Sequence, residues 1–167
     1  TRSDLAEVWL VVSPHNPLKP KSTLAKDYDR LHLVHLATED NELLKASNIE
    51  FKLPRPSYTI DTLTYLKEEH PGREFVLIMG ADNLATLHKW KNYELLLRNY
   101  PIYVYDRDDY GETTFPEFPE AEIRFFKAPL LRLSATYIRD CLKNGLSVRY
   151  MVPEPVFEYL QENQIYK

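Results

Sequence analysis

Two nearly unbroken apolar runs constrain this chain most: Val8-Trp9-Leu10-Val11-Val12 and Phe75-Val76-Leu77-Ile78-Met79. A strand with one face in water alternates apolar and polar residues. A run without alternation suits a strand covered on both faces, as in a parallel sheet packed between helices. Between and after these runs the pattern switches repeatedly to helical spacing. Residues 24–38 carry Leu24, Tyr28, Leu31 and Val34 at such intervals, and residues 59–70 carry Ile60, Leu63 and Leu66. Pro71-Gly72 ends the latter. Further strands are predicted at 49–53, 102–105 and 123–126. Further helices are predicted from Asn83 through Leu97, over 134–144 closed by Gly145, and over 153–163 with Pro153 near the first turn. Residues 13–21, 54–56 and 106–119 read as proline-bearing loops. Strands alternating with helices imply an α/β fold of βαβ units, with a parallel sheet and helices on both faces. Ligands of such sheets bind beyond the carboxyl ends of the strands.

The 167 residues suit one domain, spanning 1–167. At that size a chain buries roughly 70% of its unfolded surface, enough for a core without staples. The single cysteine, Cys141, makes no internal disulfide and fits a reducing, cytoplasmic setting. No apolar run approaches the ~20 residues that span a bilayer, so no membrane partner is expected. The net charge of −4 argues against a broad nucleic-acid surface but leaves room for a small basic pocket.

Three segments after strands carry unusual polar groups. In Ser13-Pro14-His15-Asn16-Pro17-Leu18-Lys19, prolines hold a loop above the sheet. Lys19 is either a point charge for phosphate or a solvated lysine. In Gly80-Ala81-Asp82-Asn83, Gly80 permits close approach of a ligand to the backbone. Asp82 is a helix cap, a ribose or base acceptor, or both, since a carboxylate has two oxygens. Trp90 lies between Lys89 and Lys91 and reads as a partly exposed core residue or a stacking plate. In Ser134-Ala135-Thr136-Tyr137-Ile138-Arg139, a helix start offers unpaired N–H groups to phosphate, with two hydroxyls and an arginine fork beside them. The plain alternative is Ser134 as an N-cap and Arg139 as a surface charge. A fourth stretch, Arg55 to Thr62, opens a helix whose N–H groups and Thr59 hydroxyl suit a carboxylate or amide, unless Ser57 or Thr59 simply caps it.

In this order, the Ser13–Lys19 loop, Pro56-Ser57-Tyr58-Thr59-Ile60-Asp61-Thr62, Gly80-Ala81-Asp82, Lys89-Trp90 and Ser134 to Arg139 closely resemble the bacterial nicotinate-nucleotide adenylyltransferases. The resemblance covers essentially the whole chain. It implies a Rossmann-like nucleotidyltransferase fold. It implies a reaction of ATP, with Mg²⁺, and nicotinic acid mononucleotide, giving nicotinic acid adenine dinucleotide and pyrophosphate in NAD biosynthesis. It implies that Trp90 stacks on the nicotinate ring and that Thr59 and its neighbours recognise the ring carboxylate. Asp82 with Gly80 would hold the nucleotide. Lys19 would lie near the substrate phosphate, and Ser134, Thr136 and Arg139 would bind ATP phosphates, Lys19 and Arg139 being the catalytic residues within the chain. No dedicated metal ligands are expected. The partners implied are the two small molecules, with a homo-oligomer left open.

Two departures stand out. Ala135 replaces the frequent second serine of the family's motif, removing one donor. No His-x-Gly-His segment occurs, and this is the motif whose histidines contact ATP phosphates in the family. The expectation is that residues 8–12 match the family's second strand, that the first strand and main catalytic histidine lie upstream of Thr1, and that the 167 residues alone are inactive. The alternatives are a related enzyme using nicotinamide mononucleotide or phosphopantetheine, and a nucleotide-binding module without catalysis.

Overall fold

The computed structural model describes residues 3–14, 24–106, 121–127, 129 and 131–166. Its contacts form two compact units, Ser3–Ser57 with Arg132–Lys167, and Tyr58–Leu131.

In the first unit, strand β1 (Val8–Val11) pairs in parallel with β2 (Leu44–Ser47), Val8 opposite Leu44 and Val11 opposite Ser47. Helix α1 (Asp27–Thr38) makes the crossover that parallel pairing requires. Helices α5 (Ala135–Lys143) and α6 (Glu154–Glu162) complete the unit. Their apolar faces meet in a cluster of Cys141, Leu142, Val148, Val156, Leu160 and Ile165, against which Leu33 and Leu36 of α1 pack. Gly145 closes α5 in the left-handed region at φ 70, and the Leu146 N–H returns to the Cys141 carbonyl at 2.9 Å. Pro153 stands as the N-cap of α6.

The alternating Ile49-Glu50-Phe51-Lys52-Leu53 segment is not a strand. Residues Ile49–Lys52 form a 3₁₀ turn, and the strand is the less apolar Leu44–Ser47 before it. Ile49 and Glu50 are both buried, which a half-covered strand with alternating faces does not allow. The buried Glu50 carboxylate accepts the Ser57 hydroxyl at 2.7 Å, a bond that repays part of its desolvation.

In the second unit, α2 (Thr59–Glu69) precedes β3 (Leu77–Gly80), which leads into a single helical turn, α3 (Ala81–Leu84). A 3₁₀ turn at Leu87–Lys89 and α4 (Tyr93–Asn99) follow. Strand β4 (Ile102–Asp106) lies between β3 and β5 (Ile123–Lys127), and both pairings are parallel. The core gathers Ile60 and Leu63 of α2, Met79 of β3, Leu84, Leu87, Leu96, Ile102 and Val104. The helix expected from Asn83 to Leu97 is therefore broken into three. Trp90 is extended and Asn92 turns left-handed at φ 50, a region asparagine tolerates better than most residues. The breaks let Leu84, Leu87 and Leu96 all point into one core, which an unbroken helix would not.

Every described strand pair is parallel, as the apolar runs predict. Coverage is less complete than they suggest, since Leu10 and Ile78 remain 39% and 42% exposed. Among the described residues no helix is long and apolar enough to cross a membrane.

Two outcomes are expected. Leu87 is fully buried. Leu87→Ala should lower unfolding free energy in urea by about 2–5 kcal/mol, through lost transfer energy and the cavity left behind. The Tyr159 hydroxyl donates to Asp29 Oδ1 at 3.1 Å, joining α6 to α1. Burial, the bond to Asp29 and the charge of Asp29 raise its ionisation above the ordinary 10.0. The folded state thus favours the neutral phenol. That contribution is present below about pH 10 and is lost as pH rises through the raised value. In alkaline thermal melts, Tyr159→Phe should show a shallower decline with pH than the parent.

Candidate active site

Strand β3 ends at Gly80, beside Tyr105 of β4 in the ladder. Gly80 has φ −78 and ψ 156, an extended conformation open to any residue, so its need is for space. A Cβ built there would collide with Asp82 Oδ1 and would lie 3.2 Å from the Tyr105 hydroxyl. The Asp82 carboxylate therefore folds back over the glycine at the carboxyl end of the strand. It does not cap α3, whose start carries no side-chain cap. Asp82 is exposed. Tyr105 was not among the sequence candidates. The signal for it lay in its place at the end of the Ile102-Tyr103-Val104-Tyr105 run, but only the register opposite Gly80 brings it to the site.

The first turn of α2 is uncapped by side chains as well. Tyr58 takes the N-cap position in extended conformation, and the Ser57 hydroxyl is engaged by Glu50. Ordinary capping by Ser57 or Thr59 is therefore not what the structure shows. Thr59 is the first helical residue and is half-buried. The N–H groups of such a turn have no partners within the helix and carry the positive end of its dipole.

Trp90 packs against the edge of the second unit's core and stays half-buried, as a partly exposed core residue does. Its backbone N–H donates to Leu87 at 2.9 Å, closing the 3₁₀ turn. The next residue, Lys91, reaches the first turn of α2. Its Nζ donates to Asp61 Oδ2 at 2.8 Å and lies 4.6 Å from the Tyr58 ring centroid. This link ties the residue after Trp90 to the first turn of α2, across 30 residues of sequence. Neither Lys91 nor Asp61 was singled out from sequence. A lysine after a tryptophan and an acid in a first turn are both ordinary on their own.

In the first unit, Ser134 is the N-cap of α5, accepting the Tyr137 N–H at 3.1 Å. The plain reading of Ser134 is thus realised, although its hydroxyl keeps a proton to donate. Two residues on, the Thr136 hydroxyl accepts from Arg139 Nη2 at 3.0 Å, which orients the guanidinium beside the helix start. Arg139 is half-buried, while Ser134 and Thr136 are exposed. A hydrogen bond to Cys141, charge interaction with it and burial raise the ionisation of Tyr137 above 10.0. Ser134, Thr136 and Arg139 are brought together as expected. Lys19 lies outside the described residues. Among the described residues no group of three His, Cys, Asp or Glu is placed to hold a metal ion.

A family model described as cytidylyltransferase-like matches residues 1–141. A protein of Flavobacterium psychrophilum named "Probable nicotinate-nucleotide adenylyltransferase" is 50% identical over 165 residues, 99% of this chain and 86% of the relative. A protein of Bacillus licheniformis with the same name is 32% identical over 165 residues, 98% of this chain and 84% of the relative. Among solved structures, the Plasmodium falciparum nicotinic acid mononucleotide adenylyltransferase complexed with NaAD superposes with a TM-score of 0.72. It is 17% identical, and the match covers 96% of this chain and 82% of that one, a likeness of fold.

The atom closest to a Cβ on Gly80 is the end of the Asp82 side chain, which can rotate away. Gly80→Ala should therefore cost about 1 kcal/mol or less in urea unfolding. Adding Asp82→Ala should remove the part of that cost due to the carboxylate. A penalty that survives the second substitution would mean that the Tyr105 phenol, 3.2 Å away, or the backbone gives way.

Proposed function

The chain belongs to the nicotinate-nucleotide adenylyltransferases, within the cytidylyltransferase-like family, and on that footing we propose how its residues divide the reaction among them. The enzyme transfers the adenylyl group of ATP to nicotinic acid mononucleotide, yielding nicotinic acid adenine dinucleotide and pyrophosphate in NAD biosynthesis. A phosphate oxygen of the mononucleotide attacks the α-phosphorus of ATP. The bond from that phosphorus to the bridging oxygen breaks, and pyrophosphate leaves with the electron pair. No covalent enzyme intermediate is required, so the protein contributes alignment and charge stabilisation.

One observation carries the assignment of the acceptor site. The Lys91–Asp61 bond links the residue after the half-buried Trp90 to the uncapped first turn of α2. An apolar ring and N–H groups without helical partners, linked in this way, suit an aromatic ring bearing a carboxylate. On this reading the nicotinate ring stacks on Trp90 and its carboxylate meets the backbone N–H groups around Thr59. The Asp82 carboxylate, folded over Gly80 beside Tyr105, accepts hydrogen bonds from the nucleotide.

The ATP phosphates are assigned to the start of α5. Its unpaired N–H groups, the Ser134 and Thr136 hydroxyls and the Arg139 guanidinium suit anionic oxygens. Thr136 keeps the fork in one orientation, so less freedom is lost when phosphate binds. Lys19 is assigned to the mononucleotide phosphate. Magnesium is read as part of the ATP substrate, because such ions are commonly held by substrate phosphates with few protein ligands. When bound there it neutralises phosphate charge. The reading places one nucleotidyltransferase domain over residues 1–167, working in the cytoplasm on two small molecules.

Pyrophosphate release from ATP and nicotinic acid mononucleotide by the full-length protein is the direct test, and its absence would refute the assignment. Trp90→Ala should raise KM for the mononucleotide roughly tenfold, since base–aromatic stacking contributes about 1–3 kcal/mol. KM for ATP should change by less than about twofold. Equal losses for both substrates would contradict the stacking role.

A further inference from the structure

Asp61 creates an electrostatic problem for the acceptor site. It is the third residue of α2, in the same turn as Thr59. An acid there suits the helix dipole. It also puts a negative charge beside N–H groups that are to receive a carboxylate. A neutral carboxamide on the ring would not feel this repulsion, and its NH₂ could even donate to a bare Asp61. Left alone, Asp61 would favour the amide over the acid.

Lys91 answers that charge. Its ammonium donates to Asp61 Oδ2 at 2.8 Å and lies over the Tyr58 ring, 4.6 Å from the centroid. The pair is solvent-exposed, with side chains 42% and 45% accessible, so it contributes little to stability. Its placement is more telling than its strength. The ammonium is anchored by the residue after the ring plate Trp90, and the carboxylate by the turn that holds Thr59.

We propose that Lys91 is a specificity-determining residue that masks Asp61, so that the first turn of α2 accepts a ring carboxylate in preference to a ring amide. This rests on the assignment of that turn and Trp90 to the mononucleotide acceptor. The lysine acts by neutralising Asp61, not by contacting the substrate. Masking and direct contact make different predictions when Asp61 is itself neutral.

The test measures Kd of nicotinic acid mononucleotide and nicotinamide mononucleotide by calorimetry on the full-length protein. Lys91→Met should weaken binding of the acid about tenfold, equivalent to about 1.4 kcal/mol. Binding of the amide should weaken less than about threefold, or tighten. Adding Asp61→Asn should return the Kd of the acid to within about threefold of the parent. That rescue also shows that the altered chain folds. Unchanged acid binding in Lys91→Met would overturn the proposal, as would a double variant as weak as the single one. A parent protein that releases no pyrophosphate from ATP and nicotinic acid mononucleotide would instead refute the acceptor assignment on which the proposal rests.

Discussion

Parallel pairing of β3 with β4 sets the geometry on which the second unit's chemistry depends. Gly80 stands opposite Tyr105 because Leu77 stands opposite Ile102 three residues earlier. A one-residue slip would turn every side chain of the strand to the other face. It would carry Ile102 and Val104, both wholly buried, out of the core. The register is thus held by hydrophobic burial beneath the sheet, while its consequence appears at the polar end. There the phenol of Tyr105 and the carboxylate of Asp82 converge over the one residue that has no side chain to exclude them.

The same core accounts for the position of Trp90. Leu84, Leu87 and Leu96 are almost wholly buried in one cluster, and the chain breaks its helix twice to put them there. Trp90 falls in the extended gap between two of these anchors, packed on one side and partly open on the other. The next residue reaches back to α2, where its ammonium pairs with Asp61.

At the start of α5, the proposed phosphate donors also serve the helix itself. Ser134 spends a lone pair on the Tyr137 N–H and keeps its proton for another acceptor. Thr136 accepts from Arg139 and so aligns a guanidinium that would otherwise sample many rotamers. Local helix chemistry thereby aligns the guanidinium beside the helix start, and Ala135, which offers no hydroxyl, leaves that alignment undisturbed.

Parallel α/β architecture was legible in the residues, because unbroken runs such as 75–79 and the intervening helical periods have few other solutions. The order of short motifs identified the family because ligands of such sheets bind beyond the carboxyl ends of the strands, where these motifs lie. The sequence misled where local pattern and tertiary demand diverged. Ile49 to Leu53 alternates like a strand, yet Glu50 is buried against Ser57 and the segment coils into a 3₁₀ turn. Residues 83–97 have helical composition, yet the core requires breaks at 85–86 and at 90–92. Tyr105, Asp61 and Lys91 were invisible as site residues because each is commonplace in its own segment. Their meaning lies in through-space distances, between Lys91 and Asp61 and between Tyr105 and Gly80. Sequence determined the parallel α/β class and the family, since those follow from local periodicity and motif order. Only the tertiary structure decided which charges face one another, because that depends on register and on breaks imposed by packing.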